Sequence, residues 1–494
     1  MSEGGRFGDR RALEADDLAG PRLAKADAAQ FPNRFETTAT AAELHAQHGD
    51  LEPEAATGQQ AIVAGRLVGK REMGKLTFGV LQDGTGRIQL LADASVLGGR
   101  YGEFGSLDLG DWVGASGEIV TTRKGELSVK ADDFTLLAKS LREMPEKFHG
   151  VSDDEIRHRQ RYLDLIANEE ARNTVQIHSA ALRALRESFW ARGFMEVETP
   201  ALEYQASGAL ARPFRTHHNA LDQDMHLRIA LELPLKKLIV GGIDKVFEMG
   251  RVFRNEGVSP RHNPEFTMLE AYQAHADYRD MMELVESVVA EAAQAAAGST
   301  RLTYQGKPID FSTPWRRAPF MDLIAQHAGD GFDLDTELSE LGANAEAIGI
   351  AVDPTWDEGK ILAAVFERKA EEHLWDPTFV VDYPKSISPF SKVHRDDQRL
   401  VERFEAVAAG QEFVNAYSEI NDPIEQRERF EAQAALRAGG DDEAHPIDES
   451  YLQALEYGMP PTGGLGIGVD RLVMMLTDQA SIREVILFPA MRPD

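Results

Sequence analysis

The sequence predicts an α+β protein with a small all-β barrel near its N-terminal end. Five short stretches within residues 60–129 alternate apolar and polar residues, as half-buried strands do. An amphipathic helical pattern spans Arg172–Arg192 and stops at Gly193. Two strand-like runs joined by a polar, turn-rich loop make up Val246–Tyr272. The barrel is therefore followed by a longer region that contains both helices and strands.

Composition places the chain among globular proteins and excludes several classes of function. Hydrophobic residues make up 43% of the 494 residues and aromatic residues 8%. No run of about 18 apolar residues occurs, so no membrane span is expected. Residues 1–20 lack the apolar core of a signal peptide, which predicts a cytoplasmic protein. Because cysteine is absent, disulfides, thiolate zinc sites and cysteine nucleophiles are excluded.

The chain is strongly acidic, with a formal net charge of −29. This charge argues against a general nucleic-acid coat protein. It does not exclude a specific nucleic-acid partner, since local patches set such contacts. Residues 60–138 carry nine Lys or Arg and ten Asp or Glu, so this segment is nearly neutral within an acidic chain. The predicted barrel is thus compatible with a nucleic-acid partner.

The predicted barrel consists of five short strands with turn signals at Asp83–Gly86 and Lys124–Gly125. Five strands within about 80 residues suit a barrel of the oligonucleotide/oligosaccharide-binding (OB) type, and another five-stranded scaffold fits the pattern equally well. In an OB barrel, exposed Phe78, Gln89 and Glu126 are candidates for stacking on bases and reading their edges. The predicted strands are Ala61–Leu67, Lys75–Gln82, Arg87–Leu91, Trp112–Ala115 and Glu126–Val129.

Shorter patterns predict the elements outside the barrel and the hairpin. An acidic helical region at about 318–376 is predicted to be a packed insertion. The glycine run Gly463–Gly468 lacks the dinucleotide fingerprint, and no βαβ unit surrounds it. We interpret these glycines as allowing two backbones, or a backbone and a ligand, to approach closely. Strands are predicted at Phe194–Pro200, Leu227–Glu232, Val380–Ser388 and Glu412–Glu419, and helices at Asp397–Ala409 and Leu472–Leu476.

The hairpin Val246–Tyr272 carries more ionic and aromatic groups than a solvated hairpin needs. An arginine suits a phosphate or a carboxylate, a phenylalanine suits a base, and carboxylates suit amines or metals. The hairpin is therefore a candidate site for a nucleotide and a charged small molecule. The residues concerned are Arg254, Glu256, His262, Glu265, Phe266, Glu270 and Tyr272.

Other candidate residues indicate phosphate chemistry. Glu405 and Glu412 are seven residues apart, which would be two turns of a continuous helix. Two carboxylates at this spacing could hold magnesium, although an isolated pair is more often part of a solvated helix face. Arg254 and Arg471 stand near glycines at element ends, a setting that suits phosphate oxygens, although each alone is more often a surface salt bridge. No serine occupies a nucleophile-elbow motif. This favours chemistry by positioning and charge neutralisation, as in attack on a phosphate.

Six stretches in order carry a family resemblance. They resemble the motifs of class II aminoacyl-tRNA synthetases of subclass IIb, and more closely the lysyl-tRNA synthetase family. The resemblance covers nearly the whole chain from the barrel onward, and the motifs together are highly specific. The stretches are GFMEVETP, ARPFRTHHNALD, FRNEG, RHNPEFTMLEAY, GLGIGVDR and ILFPAMRP.

The resemblance implies a fold and an assembly. It implies a six- or seven-stranded antiparallel catalytic sheet flanked by helices, an N-terminal OB-fold barrel that binds the anticodon, and a homodimer formed through the helix and strand ending at Pro200. Two departures stand out: Pro234 replaces a common tyrosine and Tyr417 a common phenylalanine, and we expect both to tune packing. The implied domains are a helical extension at 1–57, the barrel at 58–140, a linker at 141–165 and the catalytic domain at 166–494.

The resemblance also implies a reaction: ATP and Mg²⁺-dependent activation of L-lysine to lysyl-adenylate, then transfer of lysine to the 3′ terminal adenosine of tRNA(Lys). Arg254 would bridge the α-phosphate and the amino-acid carboxylate, and adenine would stack between Phe266 and Arg471, which also faces the γ-phosphate. Further ATP contacts would come from Glu256, His262 and Asn263, with Glu405 and Glu412 as metal ligands. Lysine would contact Gly208 and Glu232 through its α-amino group and Glu270, Tyr272, Asn415, Tyr417 and Glu419 through its side chain. The anticodon would contact Arg66, Phe78, Gln89 and Glu126.

Three other functions fit parts of the pattern. A protein-modifying ligase of the same fold would lack the anticodon barrel that this sequence is predicted to have. A catalytically inactive module usually loses a motif arginine or a metal carboxylate, and this chain keeps both kinds. An aspartyl or asparaginyl enzyme would need a cation at the pocket floor, whereas a lysine ammonium needs carboxylates such as Glu270 and Glu419.

Overall fold

The structure is a computed structural model that describes residues 31–144, 151–205, 208–209, 211–438 and 447–492. Residues 1–30 of the predicted N-terminal extension and residues 145–150 of the predicted linker lie outside this description. The chain divides into two compact units, Met1–Phe148 and His149–Asp494. None of the helices in the described ranges is long and apolar enough to cross a membrane.

The N-terminal unit contains a closed five-stranded barrel in the order β1-β2-β3-β5-β4. Only the β3–β5 pairing is parallel. Alternate residues of β1, such as Val63 and Leu67, point into a core that also contains Leu90 and Phe104. This period of two is the pattern that predicted the barrel, and all five predicted strands are present. The strands are β1 (Ala56–Met73), β2 (Leu76–Gln82), β3 (Arg87–Asp93), β4 (Trp112–Thr121) and β5 (Leu127–Ala138).

In the described part of this unit, residues 31–144, the barrel is accompanied by helices α1 (Ala41–His48), α2 (Ala94–Leu97) and α3 (Tyr101–Gly105), with a 3₁₀ turn at Gly98–Arg100. Helix α1 lies in the predicted extension and begins with a capping box formed by Thr40 and Glu43. Its first backbone N–H, from Ala41, donates to Asp83 Oδ2 at 2.7 Å. The described part of the extension is therefore anchored on the β2–β3 turn of the barrel.

The C-terminal unit is built around an eight-stranded sheet in the order β14-β15-β16-β17-β18-β11-β10-β6. The six central strands are antiparallel, which confirms the predicted α+β class. The number of strands differs from the six or seven expected, because the edge strands β6 and β14 add short parallel pairings to β10 and β15. The sheet strands are β6 (Met195–Glu196), β10 (Lys245–Phe253), β11 (Glu265–Ala274), β14 (Arg316–Pro319), β15 (Thr378–Pro384), β16 (Leu400–Ala408), β17 (Gln411–Ser418) and β18 (Thr462–Gly468).

Smaller sheets and several helices complete this unit. Strands β7 (Leu202–Glu203), β8 (Arg215–His218) and β9 (Gln223–Leu227) form one small sheet, and β12 (Arg301–Tyr304) and β13 (Lys307–Asp310) form another. The helices are α4 (Asp154–Arg159), α5 (Arg161–Ala167), α6 (Glu169–Ala191), α7 (Glu232–Val240), α8 (Tyr278–Ala297), α9 (Phe320–Ala328), α10 (Leu338–Ala347), α11 (Glu358–Lys369), α12 (Pro423–Ala438), α13 (Glu449–Glu456), α14 (Val469–Leu476) and α15 (Ile482–Val485), with 3₁₀ turns at Glu371–His373 and Lys385–Ile387.

The main core lies between one face of the large sheet and helices α6, α8 and α14. Leu185 of α6 and Val285 of α8 pack in the same cluster as Phe247, Leu269 and Ala271 of the sheet. Because side chains alternate along a strand, the neighbours of these core residues point to the opposite face. Glu270 of β11 projects from that opposite face.

The segment between β14 and β15 is helical, as predicted for residues about 318–376. Helices α9, α10 and α11 bury a cluster that includes Phe320, Leu341 and Leu362. The rings of Phe320 and Phe366 are tilted by 33°, with centroids 5.0 Å apart. The same cluster contains Val380 and Val401 of the large sheet, so the segment packs against the sheet.

Three predicted elements are wrong. The helix predicted at Asp397–Ala409 is strand β16, in which Phe404, Ala406 and Ala408 are buried at alternate positions. The strand predicted at Leu227–Glu232 ends at Leu227, and Glu232 begins α7. Pro234 is tolerated in α7 because the N–H groups in the first turn of a helix have no partner within the helix. The strand predicted at Phe194–Pro200 pairs only at Met195–Glu196.

Candidate active site

A cavity of about 820 Å³ opens on the face of the large sheet opposite the main core. It is lined by residues from β11, β16, β17 and β18, from the start of α7 and from the loop between β10 and β11. All the residues predicted for the nucleotide, amino-acid and metal sites line it: Gly208, Glu232, Arg254, Glu256, His262, Asn263, Phe266, Glu270, Tyr272, Glu405, Glu412, Asn415, Tyr417, Glu419 and Arg471.

The glycines of β18 form the floor of this cavity. In the sheet β18 lies between β11 and β17, so Gly464 pairs with both Tyr272 and Tyr417. A Cβ atom on Gly464 would lie 2.0 Å from Glu419 Oε1 and 2.6 Å from Tyr272 Cε1. Glycine is therefore required at this position, because large side chains from both neighbouring strands lean over it.

One end of the cavity is acidic. Glu270 is buried; its Oε1 accepts from the Leu231 N–H at 2.9 Å and its Oε2 from the Tyr272 hydroxyl at 3.0 Å. Burial, reinforced by the charge of Glu232, raises the pKa of Glu270 to about 7. Glu270 is thus a carboxylate with neutral hydrogen-bond donors, and a bound cation would stabilise its ionised form.

Two more carboxylates, Glu232 and Glu419, share this acidic end. Both lie beside the ammonium of Lys236, a buried residue that was not among the predicted ones. In the sequence, the only indication of a role for Lys236 is its four-residue spacing from Glu232, which would place both side chains on one face of a helix. Tyr417 donates its hydroxyl to Glu232 Oε2 at 2.8 Å, a hydrogen bond that a phenylalanine could not make. We expected a tyrosine at position 417 to tune packing only, but its hydroxyl also adds a hydrogen bond.

The other end of the cavity carries two arginines. The Arg254 guanidinium carbon lies 5.2 Å from the centre of the Phe266 ring, and its Nε donates to the Ile229 carbonyl at 3.4 Å. Arg471 donates to the Glu412 carbonyl at 2.7 Å and lies 3.3 Å from Glu412 Oε2. Burial lowers the pKa of Arg254, yet an arginine stays protonated at neutral pH. This end therefore presents two cations beside an aromatic face.

The loop between β10 and β11 is held by the end of the described chain. Asn263 accepts from the Ala490 N–H at 3.2 Å and donates to the Glu265 carbonyl at 2.6 Å. The Ile482 N–H donates to the Pro260 carbonyl at 2.7 Å. The amide oxygen and the amide nitrogen of Asn263 are thus both hydrogen-bonded within the protein. Asn263 therefore fixes the loop as well as lining the cavity.

The loop histidine lies close to Arg471. His262 Nε2 is 3.5 Å from an Arg471 nitrogen, and Nδ1 is 2.9 Å from the Ser259 hydroxyl. Burial and the charge of Arg471 lower the pKa of His262. With the imidazole of His262 neutral, Arg254 and Arg471 are the cations at this end of the cavity.

Glu405 and Glu412 face the cavity from a hairpin and not from a helix. They lie on the paired strands β16 and β17, and a bulge between Ala406 and Val407 sets their register. Glu405 binds Arg403 at 2.6 Å and accepts from the Tyr383 hydroxyl at 2.8 Å. Burial raises the pKa of Glu405, and the charge of Glu412 adds to the effect. The two carboxylates therefore line one cavity, although a hairpin and not the predicted helix brings them there.

The two carboxylates fit a magnesium site that substrate phosphates and water would complete. Mg²⁺ prefers oxygen ligands and is commonly held by one or two carboxylates plus phosphate oxygens. Within the described ranges, no set of three His, Asp or Glu side chains is placed to hold a metal by itself. Glu371, which was not predicted, has a pKa raised to about 7 by burial and by Glu405 and Glu412. A cation would relieve this concentration of negative charge.

The four anticodon candidates lie on the barrel with mixed exposure. Phe78 and Gln89 are half-buried and not exposed as expected, since Arg71 packs 5.4 Å from the Phe78 ring centre and Gln89 donates to Ser128 Oγ at 2.7 Å. Arg66 is half-buried over the Trp112 ring, whereas Glu126 is exposed in the β4–β5 turn. The strand register places Phe78 and Gln89 on the same outer face.

Comparisons with known proteins agree with this geometry. Residues 153–492 match the family model of class II tRNA synthetases (D, K and N), and residues 61–137 match that of the OB-fold nucleic acid binding domain. The chain belongs to the class II tRNA synthetase family. Its relatives include the lysine--tRNA ligase of Moorella thermoacetica, which is 50% identical over 97% of this chain and 99% of its own length. The lysine--tRNA ligases of Pelotomaculum thermopropionicum and Carboxydothermus hydrogenoformans are 50% and 49% identical, each over 94% of this chain and over 91% and 94% of their own lengths.

We expect Gly464→Ala to destabilise the protein, because its Cβ would overlap Tyr272 and Glu419. Overpacking of this kind costs on the order of 2 kcal/mol. Urea unfolding measures the loss. Gly257→Ala is the matched control, since a Cβ there meets no atom within 4 Å. Equal stability of the two variants would contradict the proposed crowding over β18.

Proposed function

We propose that the chain is a lysine–tRNA ligase. It activates L-lysine with ATP to lysyl-adenylate, releases pyrophosphate, and transfers lysine to the 3′ terminal adenosine of tRNA(Lys). The observation that carries the proposal is that the carboxylates of Glu232, Glu270 and Glu419 line one cavity together with the guanidinium groups of Arg254 and Arg471. The names of the relatives at about 50% identity support the same reaction.

The acidic end favours lysine among the three amino acids of this family. A buried carboxylate is costly unless a cation pairs with it, and lysine brings two ammonium groups. The α-ammonium would lie against Glu232 beside Gly208, whose positive φ of 94° suits glycine. The side-chain ammonium would lie against Glu270 and Glu419, with Tyr272, Asn415 and Tyr417 around it. The carboxylate of aspartate would be repelled at the same place.

The arginine end suits ATP. Adenine would lie against Phe266, and the triphosphate between Arg254 and Arg471, with Glu256, His262 and Asn263 along the loop. The lysine carboxylate attacks the α-phosphorus in line and pyrophosphate leaves. Arg254 and Arg471 stabilise the negative charge that develops, as fixed charges in a preorganised site do. This chemistry needs positioning and charge, and no covalent enzyme intermediate.

Glu405 and Glu412 would hold Mg²⁺ in this site. The metal supplies charge neutralisation at the phosphates when it is bound. Arg403 fixes the orientation of Glu405 from behind through its 2.6 Å ion pair. In the second step, the 3′ hydroxyl of the terminal adenosine attacks the carbonyl carbon of the adenylate and AMP leaves.

The barrel and helix α6 suggest the macromolecular partners. The outer face of β2 and β3, with Phe78 and Gln89 flanked by Arg66 and Glu126, would contact the anticodon of tRNA(Lys). A homodimer would form through α6 and β6, where Trp190 is 50% exposed and Met195 54%. Its partners in translation place the enzyme in the cytoplasm.

Arg254→Ala should lower lysine-dependent ATP–pyrophosphate exchange by at least about 100-fold, because a preorganised charge at the reacting phosphate is lost. The exchange assay measures this directly. Arg251→Ala is the control, since Arg251 is exposed on β10 three residues before Arg254 and pairs with Glu265 at 3.7 Å. Near wild-type exchange by the Arg254 variant would refute its role.

Glu270→Gln should raise the KM for lysine on the order of 100-fold while changing the KM for ATP little, since a buried charge partner of the ammonium is lost. Steady-state exchange at varied lysine and ATP separates the two constants. A defect confined to ATP would contradict the assignment of Glu270 to the amino acid.

The wild-type kcat/KM for lysine should fall as the pH drops through about 7, because Glu270 becomes protonated there and cannot pair with an ammonium. Above its pKa the carboxyl is ionised and binding is favoured. The pH profile of exchange measures this limb; Glu270→Gln should remove the step near pH 7 and leave the step of Glu419, whose pKa is raised by burial to about 8. A variant that keeps the same profile would show that another group titrates.

Phe78→Ala should raise the KM for tRNA(Lys) about tenfold, in keeping with the loss of one base–aromatic stack. Pyrophosphate exchange should be unchanged, because it does not require the anticodon. Val96→Ala, an exposed apolar change in α2 of the barrel, is the control. An unaltered KM for tRNA would remove Phe78 from the proposed anticodon surface.

A further inference from the structure

Lys236 of α7 is a fully buried lysine at the back of the acidic end. Its Nζ lies 2.6 Å from Glu232 Oε1 and 2.5 Å from Glu419 Oε2, and its side chain is 0% exposed. Glu232 and Glu419 line the cavity, and Lys236 does not. The ammonium therefore contacts the two carboxylates from the side away from the space that a ligand would fill.

The surroundings of Lys236 keep its ammonium charged. The ring centres of Phe390, Tyr451 and Tyr417 lie 4.9, 5.5 and 5.8 Å from Nζ. Although burial opposes the charge, Glu232 and Glu419 raise the pKa of Lys236 well above its usual value. The ammonium is thus a permanent cation in the wall of the pocket.

The hydrogen bonds of the two carboxylates differ. Glu232 uses Oε1 for Lys236 and Oε2 for the Tyr417 hydroxyl, so it is fixed at both oxygens. Neither oxygen of Glu419 has a hydrogen bond among the described residues; Oε2 is held by the ion pair with Lys236, and the buried Oε1 has no such contact. It lies over Gly464 at the cavity floor. Lys236 therefore fixes Glu419 by one oxygen and leaves the other available to a ligand.

The charges of Lys236 and of the three carboxylates decide how well the pocket matches a bound lysine. The carboxylates of Glu232, Glu270 and Glu419, offset by the ammonium of Lys236, leave a net charge of −2 when all are ionised. One lysine carries two ammonium groups, and its carboxylate belongs at Arg254. Without Lys236, three carboxylates would meet two ammonium groups in a dry cavity. The empty pocket would then hold one more proton than the wild type does, and a lysine that pairs with all three carboxylates would have to displace it.

We propose that Lys236 is a positioning residue that orients Glu232 and Glu419 and sets the charge of the pocket to match the two ammonium groups of one lysine. This role rests on the proposed function as a lysine–tRNA ligase. Lys236 touches no substrate and acts through the two carboxylates.

The test compares Lys236→Met with Lys237→Met. Methionine preserves most of the side-chain length, and Lys237 is the adjacent lysine, whose Nζ donates to Ser450 at 2.8 Å. Calorimetry in two buffers of different ionisation enthalpy counts the protons released when lysine binds. Lys236→Met should release about one proton more than the wild type, because lysine must displace the proton on the surplus carboxylate. Lys237→Met should match the wild type.

Kinetics give a second measurement on the same variants. The KM for lysine in Lys236→Met should rise at least about tenfold near pH 7 and approach the wild-type value near pH 9, where the surplus proton is lost. The KM for ATP should stay within about threefold. A raised KM for lysine with no change in proton release or pH dependence would show a packing role only and overturn the proposal.

A double variant keeps the test decisive if Lys236→Met does not fold. Lys236→Met/Glu419→Gln removes the cation together with one carboxylate, so its proton release should return to the wild-type number. An extra proton in this folded variant would also overturn the proposal. If the wild type shows no lysine-dependent exchange, the proposed function itself fails. If the wild type exchanges and no variant changes the proton count, only the role of Lys236 fails.

Discussion

The site depends on one steric constraint: the central strand of the large sheet must carry glycines on the face that forms the floor of the cavity. Strand β18 lies between β11 and β17, and Gly464 leaves room for Tyr272 and Glu419 to meet above it. Any Cβ there would displace a carboxylate that the pocket needs. The floor of the cavity is thus made of backbone, and its walls are made of the neighbouring strands.

The two-residue repeat of the strands separates stability from chemistry. On β11, Leu269 and Ala271 belong to the main core, while Glu270 and Tyr272 face the cavity. The same division holds on β17, where Ala416 is in the core and Tyr417 is not. Charged groups can therefore be concentrated on one face without unpaired charge in the core, because the two sets of side chains never share a face.

Local patterns predicted the barrel strands and the β10–β11 hairpin, because each depends on residues close together in the chain. The placement of Glu405 and Glu412 was predicted with the wrong element, since a spacing of seven fits two helical turns as well as a hairpin with a bulge. Lys236 was missed because Glu419, one of its two partners, is distant in sequence. The half-burial of Phe78 depends on the packing of Arg71, which strand alternation does not reveal.

The anchoring of the β10–β11 loop has a consequence for synthesis of the protein. Pro260 and Asn263 in the loop are held by backbone groups of Ile482 and Ala490. On the ribosome these anchors are made more than two hundred residues after the loop itself. Glu419 and strand β18, which complete the acidic end of the cavity, are likewise made more than a hundred residues after Glu232 and Glu270. Nucleotide binding therefore becomes complete only as translation reaches the last part of the chain.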